Sequence, residues 1–290
     1  MDIIKFGGLS ISNVVAKEHL SLYDRYDLIM PHFVDQRHID YDIGENNGLP
    51  VHVGHGSFGN VFRIRFTDRR CSDTKICIKE FSEQHGTKTE AIEEARKLLF
   101  LSDTGYAPVC FGLIEFINQT KNLNSYGIIQ EFIGEGETLH KFLRLSKNKV
   151  SKADWISIAF QLAHGLDKFH DKRILVNDIK ANNIVMYTRK QGHRLKYIDF
   201  GLASYRTGRT FHPPSEKLAR LRHLAPEVRK GFRTNESTDV YSLGCLMRQI
   251  NVYGNIKDLL LISHMCTREV PKMRLSAHAT RILIENIVDE

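Results

Sequence analysis

The chain of 290 residues contains no apolar run long enough to span a membrane. Its first residues, "MDIIKFGG", carry an acid at position 2 and no basic stretch leading into a long apolar one, which argues against a secretory signal. Cysteine is scarce. Cys71, Cys77, Cys110, Cys245 and Cys266 are scattered, and no two of them form a C-x-x-C pair. A zinc site therefore has little support, and an odd, unclustered set favours reduced thiols. The fourteen histidines include no H-E-x-x-H arrangement, so no metal site is expected from them. No repeat appears at solenoid periods, and no tract is of low complexity. These absences lead us to expect a protein of the cell interior, cytoplasm or nucleus, without a membrane span.

What is present in excess is positive charge, formally +7. A basic surface can attract nucleic acid, membranes or acidic substrates. Lys and Arg are dispersed, however, with no dense block and none of the aromatic interleaving of a single-strand groove, so no nucleic-acid partner is expected. One local enrichment stands out: Arg206, Arg209, Lys217, Arg220, Arg222, Arg229 and Lys230. The oligomeric state leaves no readable trace in the sequence.

The length suffices for one large domain or two lobes with substantial cores. Residues 1–47 mix polar and apolar positions without a clear period, and "GENNG" (44–48) reads as a turn or short linker, so the first 47 residues are set apart as an extension of unknown role. The β-rich runs "LPVHVGHGSFGNVFRIRF" and "KICIKEF" follow, divided by glycine and polar turns. "TKTEAIEEARKLLFLS" places Ala91, Ala95, Leu98 and Leu99 at helical spacing, with acids near its start. "SYGIIQEFI" reads as a buried strand. "SKADWISIAFQLAHGLDKFH" reads as a long amphipathic helix, with Ser151 as N-cap and Asp154 in its first turn. "NIVMY" and "LKYIDF" are short strand candidates, while "STDVYSLGCLMRQI", "IKDLLLISHMC" and "SAHATRILIENIV" read as helices. The expectation is an α+β protein of two lobes. A small β-rich lobe covers 48–133, a larger helical lobe runs from "GEGE" at 134 to 290, and a ligand cleft lies between them.

Several residues carry chemistry. "GHGSFGNV" (54–61) sets Gly54, Gly56 and Gly59 in a G-x-G-x-x-G pattern between strand-like segments. Glycines there let backbone N–H groups approach phosphates that a Cβ would exclude. The same pattern opens dinucleotide-binding folds, but there a helix must follow, and here the alternating "NVFRIRF" follows. Lys79 lies inside an apolar strand, where an ammonium is costly to bury unless it meets negative charge. Glu94 on the next helix offers a carboxylate, with Glu90 and Glu93 as rivals. "LVNDIKANNIV" (175–185) then gives Asp178, Lys180 and Asn183 in the spacing D-x-K-x-x-N, and "DFG" begins at Asp199. Two carboxylates and an amide in this order suit metal-assisted phosphoryl transfer: one carboxylate for the acceptor hydroxyl, and the amide with the other for Mg²⁺.

On these motifs, with "APE" at 225–227, "DVYSLG" at 239–244 and "PKMRLS" at 271–276, the chain resembles a eukaryotic protein kinase domain over roughly residues 48–290. The resemblance implies a bilobal kinase fold and ATP and Mg²⁺ as cofactors, with phosphates under Gly54, Gly56, Ser57 and Gly59 and with Val61 as a further cofactor-binding residue. It implies that Lys79, held by Glu94, binds the α/β-phosphates, that Asn183 and Asp199 hold Mg²⁺, that Asp178 acts on the acceptor hydroxyl, and that Lys180 steadies the γ-phosphate. Cys77 stands where the family usually has alanine above the adenine, with Val185 as a further pocket residue. Gln130 takes the gatekeeper position, and Glu131 and Ile133 offer the hinge backbone. Arg274 pairs, in the family, with the glutamate of "APE", here Glu227.

Three departures from the pattern matter. Val176 and Asn177 replace the His and Arg that usually precede the catalytic aspartate. Valine can still pack against Phe200. Asn177 is neutral, so a phosphate on Ser204, Tyr205, Thr207, Thr210 or Ser215 gains no partner at that position. Arg274 follows Asp239 by only 35 positions, which leaves no room for part of the usual helix G region. Lys180 resembles serine/threonine kinases, whereas Arg220 stands where they carry threonine, and Arg222 and His223 resemble the tyrosine-kinase pattern. The expected substrate is a protein hydroxyl, Ser or Thr, in an acidic context set by the basic segment between "DFG" and "APE". The alternative is a catalytically silent pseudokinase acting as a nucleotide-binding or scaffolding module. A small-molecule kinase of the same fold is a third reading.

Overall fold

The computed structural model describes residues 22–45, 48–56, 59–67, 74–82, 86–118, 123–145, 150–190, 192–211 and 221–288. Ser57, Lys217 and Arg220, named above, lie outside them, as do Cys71 and Ser215.

The small lobe is an antiparallel sheet of β1 (Ile39–Tyr41), β2 (His52–Gly56), β3 (Gly59–Phe66), β4 (Ile76–Phe81), β5 (Cys110–Asn118) and β6 (Leu123–Glu131). Its order is β1-β3-β4-β6-β5, with β2 paired to the other end of β3. Side chains alternate between the faces of a strand. On β4, Ile76 and Ile78 join Ile39, Ile64, Ile114 and Ile129 in an aliphatic cluster on one face. Phe81 falls in the other cluster, which lies under α2 (Lys88–Leu101) together with Ala91, Ala95 and Leu98. The same alternation sends Lys79 to the α2 side. Helix α2 starts where Thr87 and Glu90 cap each other's backbone N–H groups, a reciprocal box that fixes the helix register.

Residues 22–43, which the sequence reading sets outside the domain, belong to this lobe. β1 pairs with β3 from Ile39 opposite Phe66 to Tyr41 opposite Ile64. Upstream, the Val34 N–H donates to Leu113 O at 2.7 Å, and the Leu113 N–H donates to His32 O at 2.9 Å. Gly112 permits this approach, because a Cβ there would stand 2.9 Å from His32 O. Helix α1 (Leu22–Asp27) places Tyr26 against Phe100 of α2 and stacks it on Tyr205 at 4.0 Å between ring centroids. A six-residue helix and a three-residue strand are too short for a readable period, which is why the sequence hid them.

The large lobe is built around α4 (Lys152–Asp171), whose N-cap box joins Ser151 and Asp154 as the sequence indicates. Before it, α3 (Leu139–Leu145) follows the connection between lobes, where Met186 N–H donates to Glu137 O at 2.8 Å. Strand β7 (Ile174–Leu175) pairs with β10 (Ser204–Tyr205), and β8 (Ile184–Arg189) forms a hairpin with β9 (Gly192–Tyr197). Helices α5 (Pro226–Arg229), α6 (Glu236–Gly254), α7 (Lys257–Cys266) and α8 (Ala277–Val288) complete it. Between α6 and α7 stand only Asn255, in the left-handed conformation at φ 47°, and Ile256. The shortened segment expected from the sequence is this two-residue junction. Among the described residues no helix is long and apolar enough to cross a membrane.

Candidate active site

Lys79 donates to both carboxylate oxygens of Glu94, at 2.7 and 3.0 Å, and to Asp199 Oδ1 at 2.8 Å. Lys79 and Glu94 are both buried. Burial opposes charge on Lys79, but the carboxylates, Glu94 first, outweigh it and raise its hold on the proton. The rival acids are occupied elsewhere. Glu90 caps the helix, and Glu93 accepts from Arg96 at 2.6 Å and from Tyr26 Oη. The register of α2 therefore selects Glu94.

The loop after β7 is held from behind. Asp239, on α6 and 1% exposed, accepts from the Val176 N–H and the Asn177 N–H at 2.8 Å each, and His170 Nε2 lies 3.0 Å from it. This staple accommodates Asn177 at φ 66°, a conformation asparagine tolerates better than most residues. Asn177 Nδ2 donates to Leu202 O and Ser204 Oγ, so the position where a cation was expected in relatives ties the loop to the segment after "DFG". Val176 and Phe200 lie in the same buried cluster, as expected of an apolar pair.

Asp178 collects three donors: Lys180 Nζ at 2.7 Å, Asn183 Nδ2 at 2.9 Å and His223 Nε2 at 3.3 Å. Burial alone would raise its carboxyl. The His223 hydrogen bond and the Lys180 charge more than offset that and hold it below the ordinary carboxylate value. His223 thus reaches the centre of the site from the segment before "APE", a contact that sequence spacing did not reveal. Glu227 and Arg274 pair bidentately at 2.6 and 2.8 Å, as expected, and anchor α5 to the loop before α8.

A cleft of about 460 Å³ runs between the lobes, lined by Gly54, Gly59, Val61, Cys77, Gln130, Glu131 and Ile133 on one side and Lys180, Asn183, Val185 and Asp199 on the other. Gly54 leaves open space, since an added Cβ would meet only Val61 at 4.0 Å. Gly56 pairs with Gly59 at the hairpin end. Gly59 has a further reason to be glycine, because a Cβ there would lie 1.8 Å from Glu80 O on β4. Cys77 Sγ points at Glu131 O from 3.9 Å, and burial pushes its thiol up to about 12, so it presents a neutral, apolar ceiling. The Glu131 side chain is engaged by Lys196 Nζ at 2.6 Å and its N–H donates to Val109 O at 2.9 Å, which leaves its carbonyl as the group available to a ligand.

These residues fit a nucleotide and a hard cation. Asp199 and Asn183 bring oxygen donors to one wall, and Asn183 uses its NH₂ on Asp178, which leaves its carbonyl oxygen to coordinate. Lys79 and Lys180 supply positive charge beside them, and Val61, Cys77, Ile133 and Val185 supply an apolar slot for a flat base.

A sheet lobe over a helical lobe, with a lysine–glutamate pair facing a D-x-K-x-x-N loop and "DFG", defines a protein kinase domain. A profile of the protein tyrosine and serine/threonine kinase family matches residues 49–279, and the chain belongs to that family. It is similar to calmodulin-binding receptor-like cytoplasmic kinase 1 of Arabidopsis thaliana, at 27% identity over 70% of this chain and 42% of that one. It is similar to serine/threonine-protein kinase Nek5 of Homo sapiens at 26% over 68% of this chain and 27% of that one. Spermatocyte protein spe-8 of Caenorhabditis elegans is 28% identical over 70% of this chain and 38% of its own length. The chain thus spans less than half the length of each of these relatives.

Proposed function

We propose that the chain is a working ATP- and Mg²⁺-dependent protein kinase that phosphorylates Ser or Thr on protein substrates. The observation that carries this reading is the buried Lys79–Glu94 pair beside an ionised Asp178, with Asn183 and Asp199 on the same wall. Bound ATP–Mg²⁺ supplies the γ-phosphoryl group. Lys79, fixed by Glu94, positions the phosphates, while Asn183 and Asp199 take the metal. Asp178 accepts the acceptor's proton, and Lys180, 2.7 Å away, offsets charge at the transferred group. The replacements at Val176 and Asn177 remove no group from this set. The serine/threonine preference is supported by Lys180 in its motif position and by the similarity to serine/threonine-protein kinase Nek5. Arg206, Arg209 and Arg222 lie between "DFG" and "APE" and favour acceptors flanked by acids or phosphate.

The test is a radiolabelled-phosphate assay of the purified chain with generic protein substrates and Mg²⁺, beside an Asp178→Asn control. Label on Ser or Thr that disappears in the control is the expected result. Nucleotide binding without transfer would make the chain a silent binding module instead.

A further inference from the structure

The β2–β3 hairpin roofs the cleft, and its outer face carries a cluster of side chains with no part in the site below. Val61 lines the cleft, so strand alternation turns Asn60 and Phe62 outward. His55 stands directly opposite Asn60, and His52 directly opposite Phe62. Regular alternation would set positions 52 and 55 on opposite faces. A bulge prevents this: the register passes from His52 opposite Phe62 to Gly54 opposite Val61, two steps of β2 against one of β3. Both imidazoles therefore turn to one oxygen. His52 Nε2 lies 3.3 Å from Asn60 Oδ1, and His55 Nδ1 lies 2.9 Å from it. The His52 ring is seated edge-on against Phe62, with centroids 5.4 Å apart.

Two imidazole nitrogens and an amide oxygen at these separations suit a tetrahedral cation. Zinc binds nitrogen and oxygen at about 2.0–2.2 Å, which sets tetrahedral ligands about 3.4 Å apart. All three side chains are exposed, so water can complete the coordination. Glu80 on β4 stands across from Asn60 and shares its face, held there by a hydrogen bond from Tyr41 Oη. Its carboxylate adds negative charge beside the cluster. Imidazole ligands select Zn²⁺ over Mg²⁺, which takes oxygen donors. Among the described residues no three His, Cys, Asp or Glu side chains gather around one point, so the third protein ligand is the Asn60 amide.

We propose that His52, His55 and Asn60 form a site for one Zn²⁺ ion on the outside of the hairpin. Each ring coordinates as the neutral imidazole, with its proton on the other nitrogen, His52 Nδ1 and His55 Nε2. The two hydrogen bonds to Asn60 are thereby exchanged for bonds to the metal. The ion joins β2 to β3 on the far side of the strands from Gly54 and Val61 and pins the hairpin over the cleft. It is separate from the Asn183–Asp199 pair. No histidine motif in the sequence marks the site, because the bulge creates it.

The experiment titrates ZnCl₂ into the full chain without nucleotide by isothermal calorimetry, with MgCl₂ as the control. One Zn²⁺ per chain should bind with micromolar affinity, and melting should rise by about 3 °C at ten times the dissociation constant. His52→Gln and His55→Gln should each weaken binding at least about tenfold and lose the shift. Asn60→Asp, which puts a carboxylate oxygen in the amide's place, should tighten binding. Without metal these exposed variants should melt within about 1 °C of wild type, so lost binding is not lost fold. His38→Gln, at another exposed histidine of the small lobe, should bind as wild type does. Lys79→Met should keep the response in full, which separates this site from the nucleotide cleft and from the proposed catalysis. Loading with Cu²⁺ should give a paramagnetic resonance spectrum with two nitrogen couplings, reduced to one in either histidine variant. Zn²⁺ bound no more tightly than Mg²⁺, undiminished binding in either histidine variant, or weaker binding in Asn60→Asp would overturn the proposal and leave the three side chains as a hydrogen-bonded cluster.

Discussion

Replacing Asp239 by asparagine should damage the site without touching any group that faces the cleft. Asp239 Oδ1 accepts from the Asn177 N–H, and Oδ2 accepts from the Val176 N–H and from His170. An asparagine has one acceptor oxygen. Its better orientation keeps the two bonds at the Oδ2 position and turns its NH₂ toward the Asn177 N–H. One charge-assisted bond is lost, and a buried peptide donor is left facing another donor. Hydrogen bonds to charged groups contribute about 1.5–3 kcal/mol each, and an orphaned buried donor costs a similar amount, with overlap between the two. The net loss should be about 2–4 kcal/mol. At about 2 °C per kcal/mol for a chain of this size, melting should fall by about 4–8 °C. The Asn177 peptide, released from φ 66°, carries Asp178 with it, and a misplacement of about 1 Å should lower the transfer rate about a hundredfold. Melting by fluorimetry and the radiolabel assay read both quantities. A variant that melts within about 1 °C of wild type and transfers at the same rate would refute the staple.

The remaining expectations concern other supports of the same site. Lys79→Met should abolish transfer with the fold retained and Glu94→Gln should do less damage, whereas an essential Glu90 or Glu93 would contradict the α2 register described here. Asp199→Asn should abolish Mg²⁺-dependent transfer, because an amide cannot supply the charge that offsets the phosphates. Tyr26→Ala should cost about 3 kcal/mol by emptying a buried aromatic site and lower activity through α2, while Tyr26→Phe, which loses only the bond to Glu93, should cost about 1 kcal/mol; comparable melting of the two would show that the ring packing is unimportant. Glu227→Gln should cost about 3 kcal/mol at neutral pH, since Arg274 would be left buried and unpaired. Burial would raise the Glu227 carboxyl, but Arg274 outweighs it and holds it below its ordinary 4.5. The pair's contribution is therefore present above pH 4.5 and lost as pH falls through the lower folded value, so the wild-type advantage over Glu227→Gln should vanish on acidification.

The residues facing the cleft were legible because their chemistry dictates their type. A lysine in an apolar strand needs a carboxylate, and the D-x-K-x-x-N spacing fixes three side chains on one short loop. The structure brings Lys79, Glu94, Asp178, Lys180, Asn183 and Asp199 together and separates Glu94 from its rivals by helix register. Capping boxes at Thr87 and Ser151 were legible for the same local reason. What stayed hidden depends on contacts distant in sequence. Asp239 reads as one acid in a helix until the loop it holds is folded against it. His223 reads as an oddity before "APE" until it meets Asp178. Lys97 reads as a solvated helix lysine, yet the folded chain buries it.

The stacking of Tyr26 on Tyr205 also bears on how the chain is made. At about 5–20 residues per second, Tyr26 leaves the ribosome on the order of ten seconds before Tyr205. Through that interval α1 can meet α2 but lacks its contact with Tyr205. Its ring stays open to chaperones, and α2 is held on one flank only. The contact that completes the small lobe is therefore supplied by the large one. A nascent chain stalled before residue 205 should show protease-sensitive residues 22–30 beside an otherwise protected sheet.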